Sequence, residues 1–297
     1  MFSRRHPLLF TFLVLVGIFM SGMVALSLIT VAASGGRFGT GLSNKVGVVE
    51  LDGTITDSRI IVESLADFRK NDKIKAIVLR VDSPGGSLGP SQEIYAEVKK
   101  TVAEKKVIVS MGSVAASGGY YVSSCASGIM ANPGTITGSI GVIMAYTNAK
   151  GLMDKVGLSP VVIKSGKFKD IGSPFRDMTA DERAFLNETI QAMYMQFVDD
   201  IVKGRKMKKE KILEIADGRI FTGIKAKELG LIDRLGNMED AIAWAGELGG
   251  LGEDPAVIYA NRSRFAGLEK MMESASKVME GATSAVPLLA YLWMPPA

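Results

Sequence analysis

Histidine and cysteine each occur once in this chain, as His6 and Cys125. The scarcity of histidine removes the commonest base from the folded part of the protein. A serine hydroxyl is a poor nucleophile until a neighbour takes its proton, so a nucleophilic serine here needs another base, and lysine is the candidate left. The lone cysteine cannot form an internal disulfide and leaves the redox compartment open, and Cys125 reads as a small core residue. No Cys/His cluster with zinc-ligand spacing and no P-loop string is present, so neither a metal nor another cofactor is expected. Surplus charge is also lacking. Arg4, Arg5, Arg37 and Lys45 all precede the first acidic residue, Glu50, and setting those four aside from 35 Lys and Arg leaves 31 against 31 Asp and Glu. A neutral domain has no electrostatic footprint for nucleic acid.

What the chain has instead is a long apolar start. Residues 8–33 carry no charge, and as a helix they would span roughly 39 Å against a hydrocarbon core of about 30 Å. The expectation is one transmembrane anchor over 8–33. A cleaved signal peptide ending at Val31-Ala32-Ala33 is the competing reading. Arg4 and Arg5 before the span predict residues 1–7 in the cytoplasm and the folded part on the extracytoplasmic side of the cytoplasmic membrane. His6 then falls on the wrong side for catalysis. Residues 34–45, Gly-rich and without periodicity, suit a short tether, and a domain is predicted over 46–255.

Within that domain, 46–51, 76–81 and 107–111 read as apolar strands, with helices over 58–70 and 89–104 between them. This alternation predicts an α/β domain with parallel pairing. Two loops follow strand ends. Asp82-Ser83-Pro84-Gly85-Gly86-Ser87 could aim main-chain N–H groups at a developing oxyanion, or be an ordinary strand-to-helix turn. Gly112 to Tyr121 sets Ser117 between Ala115-Ala116 and Gly118-Gly119, where small neighbours admit a substrate backbone or merely a packed helix.

These strings, with Thr137-Gly138-Ser139-Ile140-Gly141-Val142, the run from Ser165-Gly166-Lys167-Phe168-Lys169-Asp170 to Pro174, Asp217-Gly218-Arg219-Ile220-Phe221-Thr222-Gly223 and residues 226–233, resemble in order and spacing the motif series of the signal peptide peptidase A family. The resemblance covers roughly residues 45–250, in the single-domain form. It implies a fold like that of the Clp protease and crotonase superfamily, with repeated strand-helix units, and a membrane-bound serine endopeptidase that degrades signal peptide remnants and other apolar peptides. It further implies Ser117 as nucleophile, Lys169 as general base, Ser139 as the residue orienting the lysine, and Gly86 and Gly118 as oxyanion-hole donors. Gly85 and Gly86 cannot be separated by sequence. The family forms ring-shaped homo-oligomers with catalytic sites near protomer contacts, so Ser117 and Lys169 are candidates to meet across an interface.

A lysine base must be neutral, whereas a solvated lysine at pH 7 is deprotonated in only about one molecule in 2500. The reading therefore predicts a dry, partly apolar site around Lys169, with Lys164 and Lys167 as alternatives. Thr179-Ala180-Asp181-Glu182 has the pattern of a capping box ahead of an apolar face of Phe185, Leu186, Ile190, Met193, Phe197 and Ile201, read as core or protomer contact. The basic run from Lys203 to Lys211 reads as a solvated loop and helix start. Residues 256–297 read as an apolar tail with a helical stripe from Leu268 to Met279, and exposed apolar tails need a partner. A neighbouring protomer, the membrane interface and the chain's own active site are the candidates. The rival functional classes are a non-catalytic membrane-anchored scaffold and a crotonase-like acyl-CoA enzyme, neither of which needs Lys169.

Overall fold

The computed structural model describes residues 15–17, 19–22 and 44–260, and the backbone of 288–292. Most of the expected anchor, the tether and the stripe from Leu268 to Met279 lie outside the described residues. Residues 15–17 and 19–22 are helical with exposed side chains. No helix of the described residues is long and apolar enough to cross a membrane.

The domain is an α/β sheet. Strand β1 (Lys45–Asp52) leads through helix α1 (Arg59–Lys70) to β2 (Ile74–Ser83), then a short β3 (Gly85–Ser87), α2 (Leu88–Val102), β4 (Lys106–Ala116) and α3 (Gly118–Ser123). After β5 (Gly128–Ala131) come β6 (Ile136–Gly138), β7 (Ile143–Ala145), α4 (Lys150–Lys155), the long α5 (Ala180–Arg205) and α6 (Lys209–Leu213). The chain continues with β8 (Ile220–Thr222), α7 (Gly223–Glu228), β9 (Arg234–Leu235), α8 (Met238–Leu248), β10 (Val257–Tyr259) and β11 (Leu288–Leu292). The main sheet runs β10-β1-β2-β4-β5-β9 with every pair parallel. Its edge strand β10 lies past residue 255, within the segment expected to be tail.

Both faces of the sheet are covered, which is why its strands are almost uninterrupted apolar runs. Successive side chains alternate between faces. Ile77, Leu79 and Val81 of β2 join Val107, Val109 and Met111 of β4 in the core beneath α1, α2, α3 and α5. Ala76, Val78 and Ile108 face the opposite side, where α8 packs Ala241, Trp244 and Ala245. Trp244 sits so closely over Gly128 that a Cβ there would lie 2.2 Å from the indole ring.

The capping box at the start of α5 forms as expected, with Glu182 N–H donating to Thr179 Oγ1 at 3.2 Å and Thr179 N–H donating to the Glu182 carboxylate at 2.9 Å. Of the expected apolar face, Phe197 and Ile201 enter the core, whereas Phe185 is exposed and the rest are half-buried. The basic run covers the end of α5 and the start of α6, and it is tied into tertiary ion pairs. Arg205 Nη2 reaches Asp233 at 2.6 Å and Lys209 Nζ reaches Asp199 at 2.6 Å. Cys125 is free, and burial pushes its thiol up to about 12, as suits an inert core residue.

Candidate functional site

The strand that carries Ser117 is longer than its sequence pattern suggested. β4 continues through Ala116 rather than stopping at Met111, because cross-chain polar groups hold the extension. The Asp82 carboxylate accepts from Ser113 N–H at 3.2 Å and Val114 N–H at 3.0 Å, bridging the irregularity in β2–β4 pairing between Val81 and Ser83. Thr135 Oγ1 donates to Gly112 O at 2.7 Å and Thr137 Oγ1 to Ala115 O at 2.6 Å. Sequence reasoning assigned no role to these three residues. Their signal was the presence of hydrogen-bonding side chains inside otherwise glycine-rich strings.

Ser117 is the junction between β4 and α3, a strand-serine-helix arrangement that sets a hydroxyl at the C-terminal end of a central strand of the sheet. The residue is 1 % exposed, and its φ of 53° with ψ of −113° lies outside the regions that L-residues favour. Such a conformation costs about 1–3 kcal/mol and persists only where the surroundings enforce it. Enforcement comes from both directions. Ser117 N–H donates to Gly138 O at 2.8 Å, and Ser117 O accepts from Tyr121 N–H at 2.8 Å. The Tyr120 hydroxyl donates to Leu231 O at 3.0 Å, and the Tyr121 hydroxyl reaches Asp200 at 2.7 Å while its ring stacks on Tyr95 and meets Phe197 edge-on. The two tyrosines of the motif therefore anchor the helix behind the serine.

Ser139 is brought to the same place. β6 pairs with the end of β4, aligning Gly138 with Ala116, and Ser139 follows with φ of 50° and its N–H on Arg219 O at 2.8 Å. Gly138 has φ of 83°, and a Cβ there would lie 2.6 Å from the Phe221 ring, so the position requires glycine.

The Gly-Gly-Ser part of the Asp82–Ser87 string is a strand and not only a turn. Ile55 N–H donates to Gly85 O and Ser87 N–H donates to Ile55 O, which fixes the side of β3 that faces Ile55. Gly85 N–H goes to Ser83 Oγ at 3.1 Å. By strand alternation the Gly86 N–H points to the opposite edge. Of the two glycines that the sequence leaves unseparated, Gly85 has its amide on Ser83 and Gly86 is the one whose amide faces away from Ile55. A Cβ on Gly86 would lie 2.2 Å from Ile55 O, so no side chain fits. Gly118, the first residue of α3, has an amide without an intrahelical partner, as first-turn amides do.

That outward edge is occupied. β11 pairs antiparallel with β3, aligning Tyr291 with Gly86, and antiparallel with β7, aligning Leu289 with Met144. It also lies against α2 and α3. Residues 288–292 of the expected tail thus form an extended strand hydrogen-bonded on both sides within their own chain, against α3, the helix that Ser117 precedes.

Lys169 is a different matter. Its side chain is exposed, and no hydrogen bond joins it to Ser117 among the described residues. The dry surroundings expected for a lysine base are not supplied by one chain. Lys164 and Lys167, the alternatives, are held in ion pairs with Asp170 and Asp181. Among the described residues, no group of His, Cys, Asp and Glu is arranged to hold a metal ion.

A serine forced into a strained strand-to-helix junction, beside outward main-chain donors and a groove that binds extended backbone, is the arrangement of a serine peptidase. The chain belongs to peptidase family S49, whose model matches residues 99–252, and the model of the Clp protease family matches residues 43–136. It is 45 % identical over 219 residues to a protease-named protein of Synechocystis sp., covering 73 % of this chain and 79 % of that one. It is 36 % identical to the chloroplastic serine protease SPPA of Arabidopsis thaliana, over 70 % of this chain and 31 % of the plant protein. Protease 4 of Salmonella typhi is 37 % identical over 75 % of this chain and 36 % of its own length. This chain thus spans about a third of the plant and Salmonella relatives, and it is a signal peptide peptidase A family member.

Proposed function

We propose that this protein is a membrane-anchored endopeptidase in which Ser117 attacks the scissile carbonyl and Lys169 of a neighbouring copy takes the serine proton. The observation that carries the reading is the extended strand held between β3 and β7 and against α3, the helix that Ser117 precedes. A substrate bound as that strand is bound places its carbonyl within reach of the Gly86 and Gly118 amides, the donors for the tetrahedral oxyanion. Ser139 hydrogen-bonds the lysine and orients it. The lysine, having accepted the proton, passes it to the leaving amine, and water then releases the acyl group by the same route.

Support for a neighbouring copy comes from burial. No residue from 141 to 181 is buried, although the stretch contains Val161 and Ile163, 86 % and 97 % exposed. Apolar surface of this extent needs a partner, and a second copy laid over it would also dry the lysine. A ring of such copies gives every serine a lysine. The apolar residues 8–33 would hold the ring at the cytoplasmic membrane with the catalytic domain outside, where remnants of signal peptides and other apolar peptides are the substrates. The test is hydrolysis of an apolar signal-peptide-like substrate by wild type, Ser117→Ala and Lys169→Ala. Each substitution is expected to lower kcat by about 10²-fold or more, and wild-type turnover in either variant refutes the dyad.

A further inference from the structure

The residues around Lys169 are each tied to the N-terminal end of α5, and Lys169 itself is not. Lys167 Nζ pairs with Asp181. The Phe168 ring stacks on Phe185 with centroids 5.2 Å apart and 23° between planes. Asp170 receives Arg176 through Nε at 2.9 Å and Nη2 at 2.8 Å, together with Lys164 Nζ. The same guanidinium binds Glu182 through Nη1 at 2.8 Å and through Nη2, and reaches Asp170 O at 3.2 Å and Asp177 O at 3.1 Å. The Glu182 side chain is 2 % exposed and the Asp170 side chain 12 %. Arg176 thus clamps two largely buried carboxylates from different parts of the chain, using the planar fork of donors that lysine lacks. These contacts hold both carboxyls well below their ordinary range, with Glu182 at about 2.

Resting on the reading of Lys169 as the base, we infer that Arg176 is its positioning residue: it fixes the turn bearing the lysine onto α5 and keeps the adjacent Asp170 carboxylate engaged elsewhere. The second effect is the diagnostic one. The charged groups around this turn are Lys164, Lys167, Asp170, Arg176, Asp177, Asp181 and Glu182. Without the guanidinium, Asp170 keeps only Lys164 and has acceptor capacity left for the neighbouring Lys169 ammonium. That pairing favours the charged lysine, and a base held protonated works only at higher pH.

The experiment measures kcat and KM for the apolar peptide substrate across pH, using the full chain with Arg176→Ala, Arg176→Lys, Arg176→Ala/Asp170→Asn and Lys169→Ala, with thermal melting of each. Arg176→Ala is expected to lower kcat on the order of 10- to 100-fold at pH 7, to leave KM within about twofold, and to move the acid limb of the profile upward. The double variant should return that limb to the wild-type position, which a purely structural clamp would not do. Should Arg176→Ala melt below the assay temperature, Arg176→Lys carries the test and should also lose kcat. Wild-type kcat and an unmoved acid limb in the folded Arg176 variants, with Lys169→Ala inactive, overturn this inference and leave the dyad standing. An active Lys169→Ala overturns both.

Discussion

The stretch from β4 through Ser139 and the stretch from 141 to 181 that follows it are built on opposite terms. In the first, most side chains are buried, and each unusual backbone angle is enforced by named hydrogen bonds. In the second, no residue is buried and the fixed points are ion pairs, one stacked phenylalanine pair, a single short helix and the short strand β7 paired with β11. Burying one aliphatic side chain contributes about 1.5–3 kcal/mol, whereas an exposed ion pair contributes about 0–1. Ser117 therefore sits where one chain can hold it unaided. Lys169 sits on a segment whose apolar side chains stay exposed. On the proposed reading, half of the site is finished by folding and half by assembly.

The comparison is broken most severely from the finished side. Gly86→Ala puts a methyl against the Ile55 carbonyl, with 2.2 Å between Cβ and oxygen where contact needs well over 3. The expected outcome is a loss of about 1–3 kcal/mol in stability together with loss of peptide hydrolysis, read by denaturant unfolding and turnover. Normal activity with normal stability would mean that β3 is free to shift and that its amide is not a fixed donor.

A smaller effect is expected from the tail. If β11 fills the groove, substrate binds only to the fraction of molecules from which the tail has left. Deleting residues 284–297 should raise kcat/KM about 2- to 10-fold, chiefly through a lower KM, and a synthetic peptide of the deleted sequence should compete with substrate. Unchanged kinetics would show that the strand lies in the groove without obstructing it.

How far these regions were legible in the sequence follows the same division. Parallel strands buried on both faces announce themselves, since β1, β2 and β4 are apolar nearly throughout. The roles of Ser117, Gly118 and Ser139 came from the family resemblance alone, and the structure adds that Ser117 and Ser139 directly follow the paired residues Ala116 and Gly138 of β4 and β6. The extension of β4 to Ala116 was not legible, because it depends on Asp82, Thr135 and Thr137, distant in sequence and ordinary in composition. Nor was the identity of the outward amide, which needs the Ile55 bridge to fix the alternation of β3. The clamp of Arg176 on Asp170 and Glu182 was hidden for a similar reason: a short charged segment reads as solvated until two of its carboxylates prove nearly buried. The capping box at Thr179 was legible, because its geometry is local.

The central claim is that Ser117 of one copy works with Lys169 of another, and mixing two dead enzymes tests it most directly. Ser117→Ala and Lys169→Ala protomers are combined, joint assembly is verified, and hydrolysis of the apolar peptide is measured. The account predicts that the mixture regains a substantial part of wild-type turnover, because some interfaces pair an intact serine with an intact lysine. Verified mixed oligomers that remain as inactive as either parent would contradict it.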